Sequence, residues 1–178
     1  MKKSLARFQI TGFIFTAIAG TVLHFLFGWT NGSILTAPFS AVNESTWEHM
    51  KLLFFPLFVY TIFEYGKISR HYDGFMYTKL IGMLTGLILI PVIYYTYTGI
   101  LGTSADWFNI SIYYIVAAAV YFFEYRLLKN QQLSCRFSVA AFIIMCAIGL
   151  LFVVFTFVQP EIPLFRDPVT GQYGVEQI

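Results

Sequence analysis

The sequence predicts an all-α integral membrane protein, a compact bundle of five transmembrane helices. Three observations predict it. The 178 residues are 58% hydrophobic and only 11% charged, where an average soluble domain carries roughly 25% charged residues. Apolar runs of the ~20 residues needed to cross a bilayer recur five times, separated by short polar segments. The basic residues alternate from one polar segment to the next. Nine of the eleven (Lys2, Lys3, Arg7, Lys67, Arg70, Lys79, Arg126, Lys129 and Arg136) fall in the first, third and fifth polar segments or just inside their helix ends. Only Lys51 and Arg166 fall on the other side. Because Lys and Arg favour the cytoplasmic side, the amino terminus is predicted inside and the carboxyl terminus outside.

The first span, about 8–29, follows the basic start and holds only Gln9 and His24 as strongly polar members. Ala17-Ile18-Ala19 would suit a signal-peptide cleavage site, but the apolar run continues to Trp29, long enough to span. Residues 30–42 form a loop, with Asn31-Gly32-Ser33 as its turn signal and Pro38 as a helix stop. The second span, about 44–66, opens on Ser45 and Glu48, the spacing of a capping box. Pro56 should kink it, freeing the carbonyl of Leu52 for a ligand. A basic loop with Asp73-Gly74 leads to the third span, about 78–99, where Gly82 and Gly86 should let another helix approach closely. Pro91 should kink this span in the same way, and Tyr94, Tyr95 and Tyr97 suit a membrane interface. The fourth span is about 107–127, with Asp106 as its cap, and the fifth about 137–158. Residues 1–159 therefore make the membrane domain, and 160–178 read as a polar extracytoplasmic tail.

Trp47 and Trp107 stand 60 residues apart, as do Glu64 and Glu124 within two Phe-Glu-Tyr triplets. This hints at a parallel two-helix repeat, a device common in transporters, although Trp and Tyr also gather at interfaces for their own reasons. Cys135 and Cys146 lie eleven residues apart on one helix, too far to bond each other.

Polar chemistry is concentrated at 42–51, the mouth of the second span. Glu44, Glu48 and Lys51 fall on one helix face, with His49 about 100° round from Glu48. His24 sits at a similar depth on the first span. A binding site is therefore expected from His24, Asn43, Glu44, Glu48, His49 and Lys51, with His24, Glu48 and His49 as ligands to a divalent metal such as zinc or manganese. Capping, a Glu48–Lys51 ion pair and an interfacial Trp47 anchor explain part of the same pattern without a ligand. Glu64 and Glu124 are expected to be inner-side ion pairs with Lys67 and Arg126, or an inner gate. His-Glu-x-x-His, Gly-x-Ser-x-Gly and phosphate-loop motifs are missing.

The run Val42-Asn43-Glu44-Ser45-Thr46-Trp47-Glu48-His49-Met50-Lys51-Leu52-Leu53-Phe54-Phe55-Pro56, with Leu23-His24-Phe25-Leu26-Phe27-Gly28-Trp29 upstream, resembles a family of small uncharacterised membrane proteins of Gram-positive, clostridial-type bacteria. The resemblance implies a multi-pass protein of the bacterial cytoplasmic (plasma) membrane and supplies no activity.

Three functions fit the residues. The first is binding of a small solute or ion in the outer half of the bundle, as a transporter or its substrate-capturing subunit. The second is a metal-assisted hydrolase acting from the outer face, and the third a non-catalytic scaffold. An enzyme is the less favoured of these. The partners are the lipid bilayer and a small solute or ion, with a second copy or a transporter subunit also admitted. Nothing in the scattered basic residues points to nucleic acid.

Overall fold

Each of the five apolar runs becomes one helix. The structure, a computed structural model, describes residues 2–130, 133 and 138–175. The helices are α1 (Lys2–Trp29), α2 (Thr46–Ile68), α3 (Phe75–Leu101), α4 (Asp106–Asn130) and α5 (Ser138–Phe157). Even α5, with 20 residues, extends about 30 Å at ~1.5 Å per residue, the thickness of a bilayer's hydrocarbon core. Cys135, Arg136 and the predicted start of the fifth span at Phe137 lie outside the described residues.

The bundle turns its apolar side outward. On α1 the residues Ile10, Ile14, Ile18, Val22, Phe25 and Trp29 are exposed at three- and four-residue spacing, while Gln9 and Thr16 are buried. Such a helix would be inside-out in water. In lipid it places its polar groups where other helices can satisfy them.

Successive helices run antiparallel. α2 is central: it packs on α1, α3 and α5, while α3 also packs on α4 and α5, and α1 on α4. One end of the bundle carries residues 30–45, 102–105 and 158–175; it is called the tail end below. The other carries 69–74 and is the basic end.

The 60-residue spacing does not extend to the packing. α2 and α3 lie side by side, but α5 takes its main contacts from α3 and α2 rather than from α4. Trp107 is exposed, whereas Trp47 is enclosed by Phe152 of α5 at 4.5 Å and Phe165 at 4.6 Å. Trp47 is therefore a packing residue, not the lipid-interface anchor that its position predicts.

α2 continues through Pro56. The Leu52 carbonyl four residues earlier is not left for a ligand, as the sequence suggested. Tyr113 Oη of α4 lies 3.3 Å from it and 2.8 Å from Thr16 O of α1, and its one proton serves both. Gly20 makes this three-helix junction fit, since a Cβ there would stand 1.8 Å from Tyr113 Oη and 2.9 Å from Leu52 O. Gly20→Ala should therefore destabilise the bundle by about 1–3 kcal/mol through overpacking, read as a lower unfolding midpoint in detergent. A midpoint equal to wild type would mean that α1 moves away without cost. Gly82 and Gly86 act as their spacing predicts: a Cβ would come within 2.5 Å of Glu124 Oε1 at the first and 2.8 Å of Leu53 and Val120 at the second.

The tail folds back rather than trailing away. Pro163–Phe165 form a 3-10 turn that buries Phe165. Asp167 is buried and accepts from the backbone N–H groups of Glu44 (3.3 Å), Val169 (2.6 Å) and Thr170 (3.3 Å). Asn43 Nδ2 donates to Gly174 O at 2.9 Å. The tail is thus a cap held on the entry of α2.

Candidate functional site

The site is built on the first turns of α2. Ser45 is the N-cap, and its hydroxyl accepts from Glu48 N at 3.4 Å, half of the predicted capping box. The return half is altered. Ser45 N donates to Asn43 Oδ1 at 2.9 Å, and the Glu48 carboxylate reaches instead to Val42 N at 3.0 Å.

Glu48 is then held by Lys51, whose Nζ lies 2.5 Å from Oε2. The same ammonium donates to Ala37 O at 3.0 Å and to Thr156 Oγ1 of α5 at 2.9 Å. All three of its hydrogens are used, and the side chain has no exposed surface. Glu48 and Lys51 thereby tie the 30–45 loop, α2 and α5 together. Asn43, Glu48 and Lys51, expected to bind a ligand, are all engaged in folding contacts at the tail end.

His24, Glu44 and His49 are different. His49 Nε2 lies 3.5 Å from Glu44 Oε2, and His24 Nε2 lies 3.9 Å from Glu44 Oε1. One ligand atom from each of the three falls within 4.8 Å of the other two. The two rings are 5.5 Å apart. His24 therefore meets the mouth of α2 as its depth predicts, but the carboxylate that joins it is Glu44. Glu48 is committed to Lys51.

The second nitrogen of each ring decides the chemistry. His49 Nδ1 is 2.9 Å from the carbonyl oxygen of Ser45. A carbonyl only accepts, so Nδ1 carries a proton and a neutral His49 presents its Nε2 lone pair to Glu44. This is the backbone support that metal-binding histidines ordinarily have. His24 Nδ1 is buried without a hydrogen-bond partner.

The triad opens into a cavity of about 580 Å³ between α1, α2, α3, α4 and the tail. Its other walls include Tyr94, Ser104, Asn109, Tyr113, Pro168 and Val169. Sequence reasoning missed these. Asn109 was open to discovery as an amide in the first turn of an apolar span. It accepts from Tyr97 Oη and donates to Ser104 Oγ at 3.0 Å. The tail residues announced themselves less directly, through the turn-forming run Asp167-Pro168-Val169-Thr170-Gly171.

At the basic end, Glu64 and Glu124 do not pair with Lys67 and Arg126, which are exposed. Both carboxylates bind Lys79 of α3, Glu64 closely and Glu124 at 2.5 Å. The nearer partners in sequence lose because Lys79 is the cation that the helix packing carries inward.

A protein-family model described as a family of unknown function (DUF6512) matches residues 1–175. No curated protein and no solved structure matches the chain. An uncharacterised family is what the resemblance of the 42–56 run implied, and with five helices long and apolar enough to cross a membrane, the chain is a multi-pass membrane protein that belongs to the DUF6512 family.

Proposed function

We propose that the protein binds a divalent metal ion at His24, Glu44 and His49 and, beside it, a small solute in the tail-end cavity. One observation carries this reading: a ligand atom from each of His24, Glu44 and His49 falls within 4.8 Å of the other two, and the His49 Nδ1 contact with Ser45 O leaves the Nε2 of a neutral ring free for a cation. His49 Nε2 lies 3.5 Å from a Glu44 carboxylate oxygen and His24 Nε2 3.9 Å from the other, an arrangement that a divalent cation between them would satisfy. Two imidazoles and one carboxylate suit zinc, and also manganese. The ligands of a tetrahedral zinc ion stand about 3.4 Å apart, given bonds of ~2.0–2.1 Å, so the separations here, 3.5 and 3.9 Å to Glu44 and within 4.8 Å overall, would contract on binding.

Three protein ligands would leave a coordination position open to a solute, and the three residues line a cavity of about 580 Å³. A water takes roughly 30 Å³ of liquid volume, so there is room for a small molecule. A transporter or a substrate-capturing subunit would use the open position to hold that solute. The basic-residue asymmetry supports the reading that this cavity opens on the outer side of the membrane. The same open position also favours a second reading, a hydrolase whose metal activates a water.

Elemental analysis of the detergent-purified protein tests the metal directly. Zinc or manganese at one per chain, lost in His49→Ala, is the expected result. Absence of metal, together with a solute-induced rise in melting temperature that Glu44→Gln abolishes, would leave a solute site without a metal. Neither response would reduce the tail end to a scaffold. Hydrolysis of an added ester or amide that depends on the metal would select the second reading.

A further inference from the structure

A second polar cluster lies at the basic end, remote from the cavity, and each of four helices contributes to it. Gln9 comes from α1, Glu64 from α2, Lys79 from α3 and Glu124 from α4. They are 4%, 0%, 1% and 1% exposed. Lys79 Nζ bridges the two carboxylates and also lies 5.4 Å from the Tyr121 ring and 5.6 Å from the Phe75 ring. Gln9 Nε2 donates to Glu64 Oε1 at 2.9 Å.

The charges do not balance. Two carboxylates and one ammonium sum to one negative charge, enclosed by packed helices within the span. Among the described residues, the other titratable groups facing the cluster are the phenols of Tyr60 and Tyr121, neutral in ordinary conditions, and the described part of α5 has no Asp, Glu, Lys, Arg or His. By contrast, Glu48 and Lys51 at the other end balance one to one. An uncompensated buried charge is removed most readily by protonation, and two carboxyls sharing one site seldom both ionise.

Gln9 supplies the complementary hydrogen bond. Its Oε1 is buried with no donor. Turned over, the amide offers that oxygen to an O–H on Glu64; as placed, it offers an N–H to the carboxylate. An amide can serve either charge state by such a flip. Glu124 packs on Gly82, where any Cβ would strike it, so the second carboxyl is held against Lys79 throughout.

We propose that the Glu64–Lys79–Glu124 cluster is a proton-binding site, holding one proton between its two carboxyls, with Gln9 as the partner that accommodates both the loaded and the empty state. Loading takes a proton from water at the basic end, and unloading returns it there, so no other reactant is needed. This inference does not depend on the metal site.

Infrared spectroscopy of the full chain in liposomes tests it. At neutral pH the protein should show the C=O stretch of a neutral carboxylic acid, one per chain, shifted in heavy water and by isotope-labelled glutamate. Both Glu64→Gln and Glu124→Gln should remove it entirely, because each leaves one carboxylate facing one ammonium. Glu48→Gln should leave it intact. A wild-type spectrum with no glutamic-acid band would overturn the proposal, whatever the variants do. So would a band that survives both cluster substitutions, or a sodium-dependent melting temperature without an acid band, which would assign the missing charge to a metal cation.

Discussion

Lys51→Met should be the most damaging single substitution at the tail end, costing about 3–5 kcal/mol of stability, the range for breaking a buried ion pair from one side. The reason is the number of groups it abandons. Glu48, 3% exposed, would lose its counter-charge and keep only the Val42 N–H, so it must either stay charged in the core or take up a proton to fold. Ala37 O and Thr156 Oγ1 would lose their donor. Thermal or denaturant unfolding in detergent should show the loss. Adding Glu48→Gln should recover most of it, because the remaining cost is then that of neutral hydrogen bonds, about 1 kcal/mol each, and the two substitutions share one interaction. A single substitution that stays within ~0.5 kcal/mol of wild type would place Lys51 among ordinary surface positions and contradict its placement in the core.

Glu44→Gln should do the opposite. Its side chain is half exposed, so folding should hardly change, while affinity for zinc should fall by about 100-fold or more. Loss of an outer-shell partner alone costs ~10–100-fold, and Glu44 is proposed as a direct ligand that carries the only negative charge of the triad. Glu48→Gln, which resembles it chemically and lies one turn away, should leave zinc affinity within a few-fold and lower stability instead. The pair separates ligand from fold on the same helix. An isothermal titration in which Glu48→Gln, and not Glu44→Gln, weakens zinc binding would move the site to the other carboxylate.

Much of the fold was legible because a bilayer makes strict demands. Length and apolar content mark each span, and five helices long and apolar enough to cross a membrane are found. Close approach at Gly82 and Gly86 followed from spacing. The meeting of His24 with the start of α2 followed from depth, since both lie near one end of adjacent antiparallel helices. The choice between Glu44 and Glu48 was not legible. Both fall on one face of an ideal helix, but Glu44 precedes the N-cap Ser45 and leaves the helical path. Glu48, inside the helix, is captured by Lys51 three residues on.

The basic end shows the same limit. Glu64 and Glu124 stood near Lys67 and Arg126 in sequence, and local pairing was the simplest expectation. Which side of a helix faces its neighbours decides the matter, and Lys79 is the cation whose face points inward. The tail's polar composition concealed a folded cap, because Asp167 satisfies backbone N–H groups through a turn whose residues are ordinary in any loop.

X-ray absorption at the zinc edge, on wild-type protein loaded with one equivalent of zinc, tests the tail-end site most directly. The expected spectrum has a first shell of nitrogen and oxygen at about 2.0–2.1 Å, with the outer-shell scattering of two imidazoles, falling to one in either His24→Ala or His49→Ala. Zinc surrounded by water oxygens, or a spectrum unchanged by both histidine substitutions, would contradict a metal centre at His24, Glu44 and His49.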